Sequence, residues 1–283
     1  MSLAHQLTTA PVITSTANPA VKAAAKLAAR KGRRDERAFL VEGPQAVSEA
    51  LGQLIEVFAT PQALDDHAEL LRQAAGAGAE VRAVTPEVLR VLADTVTPQG
   101  LVGVAPIRDV ALVDVLPTAR FLVVLDGVSD PGNAGTIIRT ADAAGADAVV
   151  FLAGSVDPYN PKAVRASTGS VFHLPIVTGA APEALADLAA AGLQVLAADV
   201  RASVPLAEVD LSVPTALVFG GEAAGLSATV LAGCSVSVHI PIARPERPGH
   251  HGHAESLNLA AAVAVMAYAV HDAQQHATAH TET

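Results

Sequence analysis

Residues 125–140 read Leu125-Asp126-Gly127-Val128-Ser129-Asp130-Pro131-Gly132-Asn133-Ala134-Gly135-Thr136-Ile137-Ile138-Arg139-Thr140. The apolar segment before this stretch, which begins at Phe121, favours a strand that ends in a turn rich in Gly, Pro and Asp, and a helix is expected to begin at Asn133. In α/β proteins, loops at the carboxyl ends of strands face the crevice where ligands bind. We therefore expect an α/β fold in which this turn carries chemistry and Asn133 lies near the positive end of a helix dipole.

The helix after this turn has one apolar side. The residues of that stripe are Ala134, Ile137, Ile138, Ala141 and Ala144. Arg139 projects from nearly the opposite side. A cation in that position can reach a ligand without being buried.

Composition narrows the class of protein. The chain has 283 residues, of which 51% are hydrophobic and 16% charged, so it can form a substantial core in one large domain or two ordinary ones. A single cysteine, Cys234, excludes an internal disulfide framework and fits the cytoplasm. No apolar run approaches the length of a membrane span, and the order of a secretion signal is missing, so no membrane partner is expected.

Positive charge is concentrated at the start of the chain. Residues 1–40 carry a net charge of +5, whereas the whole chain carries −10. Because single Lys and Arg side chains make phosphate contacts, this segment is a candidate surface for a polyanion such as a nucleic acid, and a solvated helix end is the alternative. The candidate phosphate contacts are Lys22, Lys26, Arg30, Lys31, Arg33 and Arg34.

Alternating apolar segments and helical patterns predict four parts. A small α/β domain covers residues 1–107, a linker 108–120, a larger domain 121–272, and a polar, mobile tail 273–283. In the larger domain the alternation predicts a parallel sheet with both faces covered. Its strands are expected at 121–125, 148–152, 171–176, 194–198, 215–219 and 236–241, and its helices at 133–145, 181–191, 227–233 and 255–271.

Two helices carry further expectations. One is predicted from Pro19 to Lys31, opened by Asn18 as its cap. The last helix is apolar nearly all round, so it must be buried on several sides, and a terminal helix of this kind indicates a subunit interface.

Two more loops resemble functional sites. Phe219-Gly220-Gly221-Glu222-Ala223-Ala224-Gly225-Leu226 follows an apolar strand, and its glycines allow a ligand to approach the backbone. Ile240-Pro241 and Glu255-Ser256-Leu257-Asn258 frame a third loop before the last helix. Each loop alone is a weak signal, since a strand, a glycine turn and a helix cap occur in any α/β protein.

Together, and in this order, the three loops resemble the motifs of the SpoU/TrmH family, the RNA ribose 2′-O-methyltransferases of the SPOUT class. Asn133-x-Gly135-x-x-x-Arg139-Thr140 is similar to the first motif. The segment 160–170 resembles the connector of that family. Asn18-Pro19-x-Val21-Lys22 and Phe39-Leu40-Val41-Glu42-Gly43 resemble its L30e-like RNA-binding domain.

The resemblance implies a parallel sheet whose C-terminal part forms a deep trefoil knot, a homodimer through the knotted domain, and S-adenosylmethionine as cofactor. The implied cofactor-binding residues are Phe219, Gly220, Gly221, Ile240, Ile242 and Leu257. The implied catalytic residues are Arg139, Asn133, Glu222, Ser256 and Asn258.

Some of these residues have structural alternatives. Asn133 and Glu222 are expected to bond to each other, although a helix cap and a loop polar group are their plainer roles. Ser256 suits a helix cap, whereas the amide of Asn258 in an apolar helix needs a partner. Lys162 and Arg165 are candidate phosphate contacts or part of a solvated helix face.

The third loop departs from the family pattern. Residues 243–254 make the third loop roughly eight residues longer than is usual in the family. Because this loop normally borders the cofactor, the extra length is expected to alter cofactor affinity or the way the loop covers the cofactor. This loop contains three candidate zinc ligands, His250, His251 and His253. Because no thiol or carboxylate ligands accompany them, no metal is expected.

Three alternatives follow for function. A dinucleotide-dependent oxidoreductase is excluded because no Gly-x-Gly-x-x-Gly follows the first strand of either domain. The resemblance favours ribosomal RNA as substrate and leaves transfer RNA open. An RNA-binding protein with impaired catalysis is the non-enzymatic alternative.

Overall fold

A computed structural model describes residues 11–243 and 254–281. Its contacts divide the chain into two compact units, Met1–Arg108 with Asp157–Phe172, and Asp109–Val156 with His173–Thr283. This division differs from the contiguous second domain expected at 121–272. The reason is apolar packing, because Tyr159, Val164 and Val171 are buried in the same hydrophobic cluster as Phe39 and Leu101.

The helices and strands are numbered in chain order. They are α1 Pro19–Lys26, α2 Arg30–Glu36, β1 Ala38–Glu42, α3 Pro44–Glu49, β2 Glu56–Ala59, α4 Pro61–Asp66, α5 Ala68–Gly76, β3 Glu80–Ala83, α6 Pro86–Leu92, β4 Leu101–Pro106, α7 Leu112–Val115, β5 Phe121–Asp126, α8 Pro131–Ala143, β6 Ala148–Leu152, α9 Pro161–Ser167, β7 Ile176–Ala180, α10 Ala184–Ala190, β8 Gln194–Ala198, β9 Val204–Pro205, β10 Thr215–Gly220, α11 Ala228–Gly233, β11 Val236–His239 and α12 Leu259–Thr281.

The first unit contains a four-stranded sheet in the order β1-β4-β2-β3. β4 runs antiparallel to β1 and β2, and β2 and β3 are parallel. The single helix expected from Pro19 to Lys31 is two helices, since α1 ends at Lys26 and α2 begins at Arg30. The predicted cap is confirmed, because the side chain of Asn18 accepts a hydrogen bond from the backbone N–H of Ala20.

The second unit contains a seven-stranded sheet in the order β7-β6-β5-β10-β8-β11-β9. All its strand pairs are parallel, as predicted. The strand expected at 171–176 was wrong: Ser170–Phe172 is a 3-10 turn and β7 begins at Ile176. Pro175 explains the shift, because proline has no N–H to donate to a strand ladder.

The last helix is longer than predicted. The sequence placed a polar tail at 273–283, but α12 continues to Thr281 because its final residues include good helix formers such as Ala and Gln. Its buried side consists of Ala260, Val263, Met266, Ala267 and Val270. Burial on several sides is not seen within one chain, since Val265 and Tyr268 are exposed.

Among the described helices, none has the length and apolar character needed to cross a membrane.

Candidate active site

The loops singled out in the sequence meet at the carboxyl end of the second sheet. β5 and β10 pair in register, so that Gly220 lies opposite Asp126. A cavity of about 600 Å³ opens at the ends of β8, β10 and β11 and at the start of α12. Its volume is in the range of small-molecule and cofactor sites.

The cavity brings the predicted cofactor-binding residues together. Its lining includes Phe219, Gly220, Gly221, Ile240, Ile242 and Leu257. Three of the predicted catalytic residues, Glu222, Ser256 and Asn258, line it as well.

Close backbone packing explains why glycines occur in the loop after β10. A Cβ at Gly220 would lie 2.1 Å from the backbone carbon of Gly225, and one at Gly221 would lie 2.5 Å from the carbonyl oxygen of Gly127. Real Cβ atoms do not approach that closely, so no other residue fits either position without moving the backbone. The two glycines are therefore required by the close approach of backbone segments beside the cavity.

The helix after β5 begins earlier than predicted. α8 starts at Pro131, and Asp130 is its cap, accepting a 2.8 Å hydrogen bond from the backbone N–H of Asn133. The proline fits because it occupies the first turn, where its missing N–H costs nothing. Asn133 is therefore not the cap, and its side chain is available for another partner.

That partner is Glu222. The side-chain amide of Asn133 donates a hydrogen bond to a carboxylate oxygen of Glu222. The bond joins the first turn of α8 to the cavity-lining loop after β10, as the sequence predicted.

Arg139 lies on the exposed side of α8. The buried residues of this helix include Ala134, Ile137, Ile138 and Ala141, which confirms the predicted apolar stripe. Neither Arg139 nor Asn133 lines the cavity, so the structure places three of the five predicted catalytic residues in its wall and two outside it.

The cap of α12 is Asn258 and not Ser256. The Oδ1 atom of Asn258 accepts a hydrogen bond of 2.9 Å from the N–H of Ala260 and one of 3.4 Å from that of Ala261. The sequence had suggested an amide inside an apolar helix, but Asn258 precedes the helix and is exposed. Ser256 is exposed in the segment before the helix.

Two buried polar side chains that sequence reasoning missed hold the turn after β5. The hydroxyl of Ser155 accepts a hydrogen bond from the N–H of Gly127 and donates one to the carbonyl of Leu125. Asp126 accepts a 2.8 Å bond from the N–H of Ser227, which follows the loop after β10. Ser155 thus holds the turn after β5 itself, whereas Asp126 joins that turn to the segment that follows the loop after β10.

Asp199 and Arg201 are a further pair that the sequence reading missed, and both line the cavity. Hydrogen bonds from Arg201 hold the pKa of Asp199 below its ordinary value. Its position could have identified Asp199 from the sequence, because it directly follows the strand predicted at 194–198. Ligand-binding residues of parallel sheets lie at such strand ends.

The candidate RNA contacts of the first unit divide into exposed and buried residues. Arg33 is 2% exposed, which corrects its assignment to an RNA surface. Its guanidinium contacts Asp157 at 2.7 Å and donates to the carbonyls of Leu27 and Ala28 at 2.8 Å. The sequence grouped Arg33 with the candidate RNA contacts because its neighbours are basic, and its partner Asp157 is too distant in sequence to be recognised.

Arg165 also has an internal role. It forms an ion pair of 2.5 Å with Asp94 and lies 3.8 Å from Glu42, so its charge is largely balanced. The remaining candidates are exposed: Lys22, Lys26, Arg30, Lys31, Arg34 and Lys162.

In the part of the chain that the structure describes, no group of three or more His, Cys, Asp or Glu could hold a metal ion. His250, His251 and His253 lie outside the described residues.

Comparison with known proteins gives consistent matches over both units. Residues 120–268 match the SpoU rRNA Methylase family, and residues 18–103 match the MRM3-like substrate binding domain. The chain is 34% identical over 259 residues to the 23S rRNA (guanosine(2553)-2'-O)-methyltransferase RlmP of Bacillus subtilis (strain 168), a match that covers 90% of this chain and 97% of that protein.

Two solved structures extend the likeness to three dimensions. An AdoMet-bound rRNA methyltransferase from Sinorhizobium meliloti has a TM-score of 0.81 at 33% identity, covering 94% of this chain and 98% of that one. The SpoU methyltransferase AviRb from Streptomyces viridochromogenes, in complex with the cofactor AdoMet, has a TM-score of 0.78 at 30% identity, covering 92% and 100%.

Proposed function

The chain belongs to the SpoU rRNA methylase family, and from this premise we propose that it transfers the methyl group of S-adenosylmethionine to a ribose 2′-hydroxyl of ribosomal RNA. One observation carries the proposal: the loops of all three motifs meet at one end of the second sheet, where Glu222 lines a cavity of about 600 Å³ and bonds to Asn133. A cofactor pocket thus adjoins polar groups that an RNA hydroxyl can contact.

The residues of the cavity fit S-adenosylmethionine. Ile240, Ile242 and Leu257 offer apolar surface for an adenine ring, and the backbone of Phe219 and Gly220 offers hydrogen-bonding groups to its polar edge. When bound, this cofactor supplies a methyl group that is already activated on a sulfonium. The protein therefore has to orient the acceptor and help the 2′-hydroxyl to lose its proton.

We assign the second task to Arg139. A guanidinium does not deprotonate at physiological pH, so it does not act as a simple base. It can bind the adjacent phosphate and stabilise the oxyanion that develops on the ribose, which lowers the pKa of the hydroxyl so that its proton passes to solvent water. Its exposed place on α8, away from the apolar stripe, supports this role.

In the proposed arrangement, Asn133 and Glu222 shape the edge of the pocket beside the acceptor. Ser256 and Asn258 border it at the start of α12, where Asn258 also caps the helix. The exposed cations of the first unit, including Lys22, Lys26 and Lys162, contact RNA phosphates.

The finer architecture is part of the same proposal. We propose that residues 1–107, which belong to the first unit, form an L30e-like RNA-binding domain and that the C-terminal part of the second unit is tied in a trefoil knot. The central place of β10 between β5 and β8, and the packing of α12 against α8 and β10, support the knot. The exposed apolar side of α12 supports a homodimer through this domain. We place the reaction in the cytoplasm, which suits the lone Cys234.

Incubation with methyl-labelled S-adenosylmethionine and unmodified ribosomal or transfer RNA, followed by alkaline digestion, tests the function. We expect label in alkali-resistant dinucleotides from ribosomal RNA, since a methylated 2′-oxygen cannot attack the neighbouring phosphate. Label from transfer RNA alone would change the substrate. Label in alkali-sensitive products would mean base methylation, and RNA binding without label would favour the non-catalytic alternative.

A further inference from the structure

Asp199 and Arg201 form a fixed ion pair at the cavity. Asp199 directly follows β8, and its backbone N–H donates a 3.0 Å hydrogen bond to the carbonyl of Val238 in β11. The carboxylate accepts three bonds from Arg201, one from the backbone N–H at 2.9 Å and two from the guanidinium, at 3.1 Å from Nε and 3.2 Å from Nη2. The guanidinium is therefore held against a carboxylate that is itself anchored to the sheet.

The charge of the cavity makes this pair unusual. Among its lining residues in the described part of the chain, Arg201 is the only Lys or Arg, whereas Asp199 and Glu222 are acidic. Without Arg201 these two carboxylates would repel any anionic group that entered. An arginine has five N–H donors in a planar fork, and the two bonds to Asp199 leave the others for a second acceptor.

We propose that Arg201 binds the α-carboxylate of S-adenosylmethionine and that Asp199 is the positioning residue that orients it. This inference rests on the proposed function, because it assumes that the cavity holds this cofactor. The side chain of Arg201 is 76% exposed, which puts the interaction at the mouth of the cavity, where the amino-acid end of the cofactor meets solvent. A guanidinium suits a carboxylate because their geometries match for paired hydrogen bonds.

A plain surface ion pair is the competing explanation. Residues two apart in a loop often pair on a surface, and such exposed pairs contribute little to stability. That explanation gives no reason for the pair to affect cofactor binding selectively. The two explanations therefore differ in whether the loss of Arg201 weakens binding only when the ligand carries a carboxylate.

The test compares two ligands on the full chain by isothermal titration calorimetry. One is S-adenosylmethionine and the other its decarboxylated form, which keeps the sulfonium, ribose and adenine. The variants are Arg201→Gln and Asp199→Asn. The control is Arg90→Gln, which removes an exposed arginine that pairs with Glu87 in the first unit, away from the cavity.

We expect Arg201→Gln to weaken S-adenosylmethionine about tenfold while leaving the affinity for the decarboxylated ligand within about twofold, as charge-assisted hydrogen bonds at a solvated site allow. Asp199→Asn is expected to give a smaller loss with the same ligand dependence, and Arg90→Gln no change. Equal loss for both ligands, or no loss for either, would overturn the inference. Failure of the unaltered chain to bind S-adenosylmethionine would instead overturn the proposed function.

Discussion

The side-chain amide of Asn133 and the carboxylate of Glu222, 89 positions apart in sequence, are joined by a hydrogen bond. This contact ties the helix that carries Arg139 to a loop that lines the cavity. Its strength depends on a donor facing an acceptor, because two carboxylates at this distance would repel each other. The pair therefore offers a direct test of whether the two loops act together.

Asn133→Asp places a second carboxylate opposite Glu222 with almost no change in size. We expect kcat for RNA methylation to fall about a hundredfold, the lower end of the cost of losing one preorganised polar contact at a reacting centre. S-adenosylmethionine affinity, measured by calorimetry, should change little, since Asn133 does not line the cavity. Gln45→Glu, which alters an exposed amide–carboxylate pair with Glu49 in the first unit, is the matched control. Unchanged kcat in the Asn133→Asp variant would show that the contact is structural only.

Arg139→Lys keeps the charge and removes the planar fork. If Arg139 grips a phosphate and the developing oxyanion together, we expect kcat to fall about a hundredfold, because a lysine cannot reproduce paired hydrogen bonds. Single-turnover methylation with saturating RNA measures this step. Arg108→Lys, at an exposed arginine, is the control. Near-full activity of Arg139→Lys would contradict the geometric role and leave only a charge effect.

Patterns that are local in sequence predicted the second sheet well. β6 and β8 have the predicted bounds, 148–152 and 194–198, because strands buried on both faces form continuous apolar runs. The start of β7 was missed because a proline overrides an apolar run. The three motif loops were recognised from their glycines and polar residues, and strand pairing brings them together.

Local patterns could not predict contacts between residues that are far apart in sequence. Nothing near Arg33 distinguishes it from its exposed basic neighbours, because its partner Asp157 lies 124 positions away. The grouping of residues 157–172 with the first unit was hidden for the same reason. The ion pair of Asp199 and Arg201 is local, but its place on the cavity depends on the neighbouring strands.

The buried ion pair of Arg33 and Asp157 predicts a large effect on stability. Arg33→Met leaves Asp157 without its cation in a site where the arginine side chain is 3% exposed. Removing one partner of a buried pair costs about 3–5 kcal/mol of unfolding free energy. Urea denaturation followed by circular dichroism measures this loss, and Arg34→Met, at an exposed arginine, should change stability by less than about 0.5 kcal/mol. Equal effects of the two substitutions would contradict the structural assignment of Arg33.

Cys234 should react slowly with alkylating reagents. Burial, and secondarily the charge of Asp126, raise the pKa of its thiol from 9.0 to about 11. Because the thiolate is the reactive form, we expect iodoacetamide at pH 8 to react roughly a hundredfold more slowly than with an ordinary thiol. The same shift predicts that the folded state loses stability as the pH rises from 9.0 towards about 11, since the unfolded thiol ionises first.

Mass spectrometry of the single cysteine gives the rate without ambiguity, and denaturation in urea is the control that should restore ordinary reactivity. Asp126→Asn should lower the pKa only partly, because burial is the larger cause. A native rate profile with its midpoint at 9.0 would show that the thiol is not buried in solution.

The exposed apolar side of α12 predicts the effect of one substitution on the assembly. Val265 is 48% exposed and Tyr268 46%, and they lie three positions apart on the same side of the helix. If this side is the dimer interface, Val265→Lys should bury an unpaired ammonium there and convert a dimer of 28.6 kDa chains into monomers. Light scattering during gel filtration measures the mass, and Val96→Lys, at a valine 95% exposed in the first unit, is the matched control. A Val265→Lys protein that stays dimeric, or an unaltered chain that is monomeric, would remove α12 as the interface.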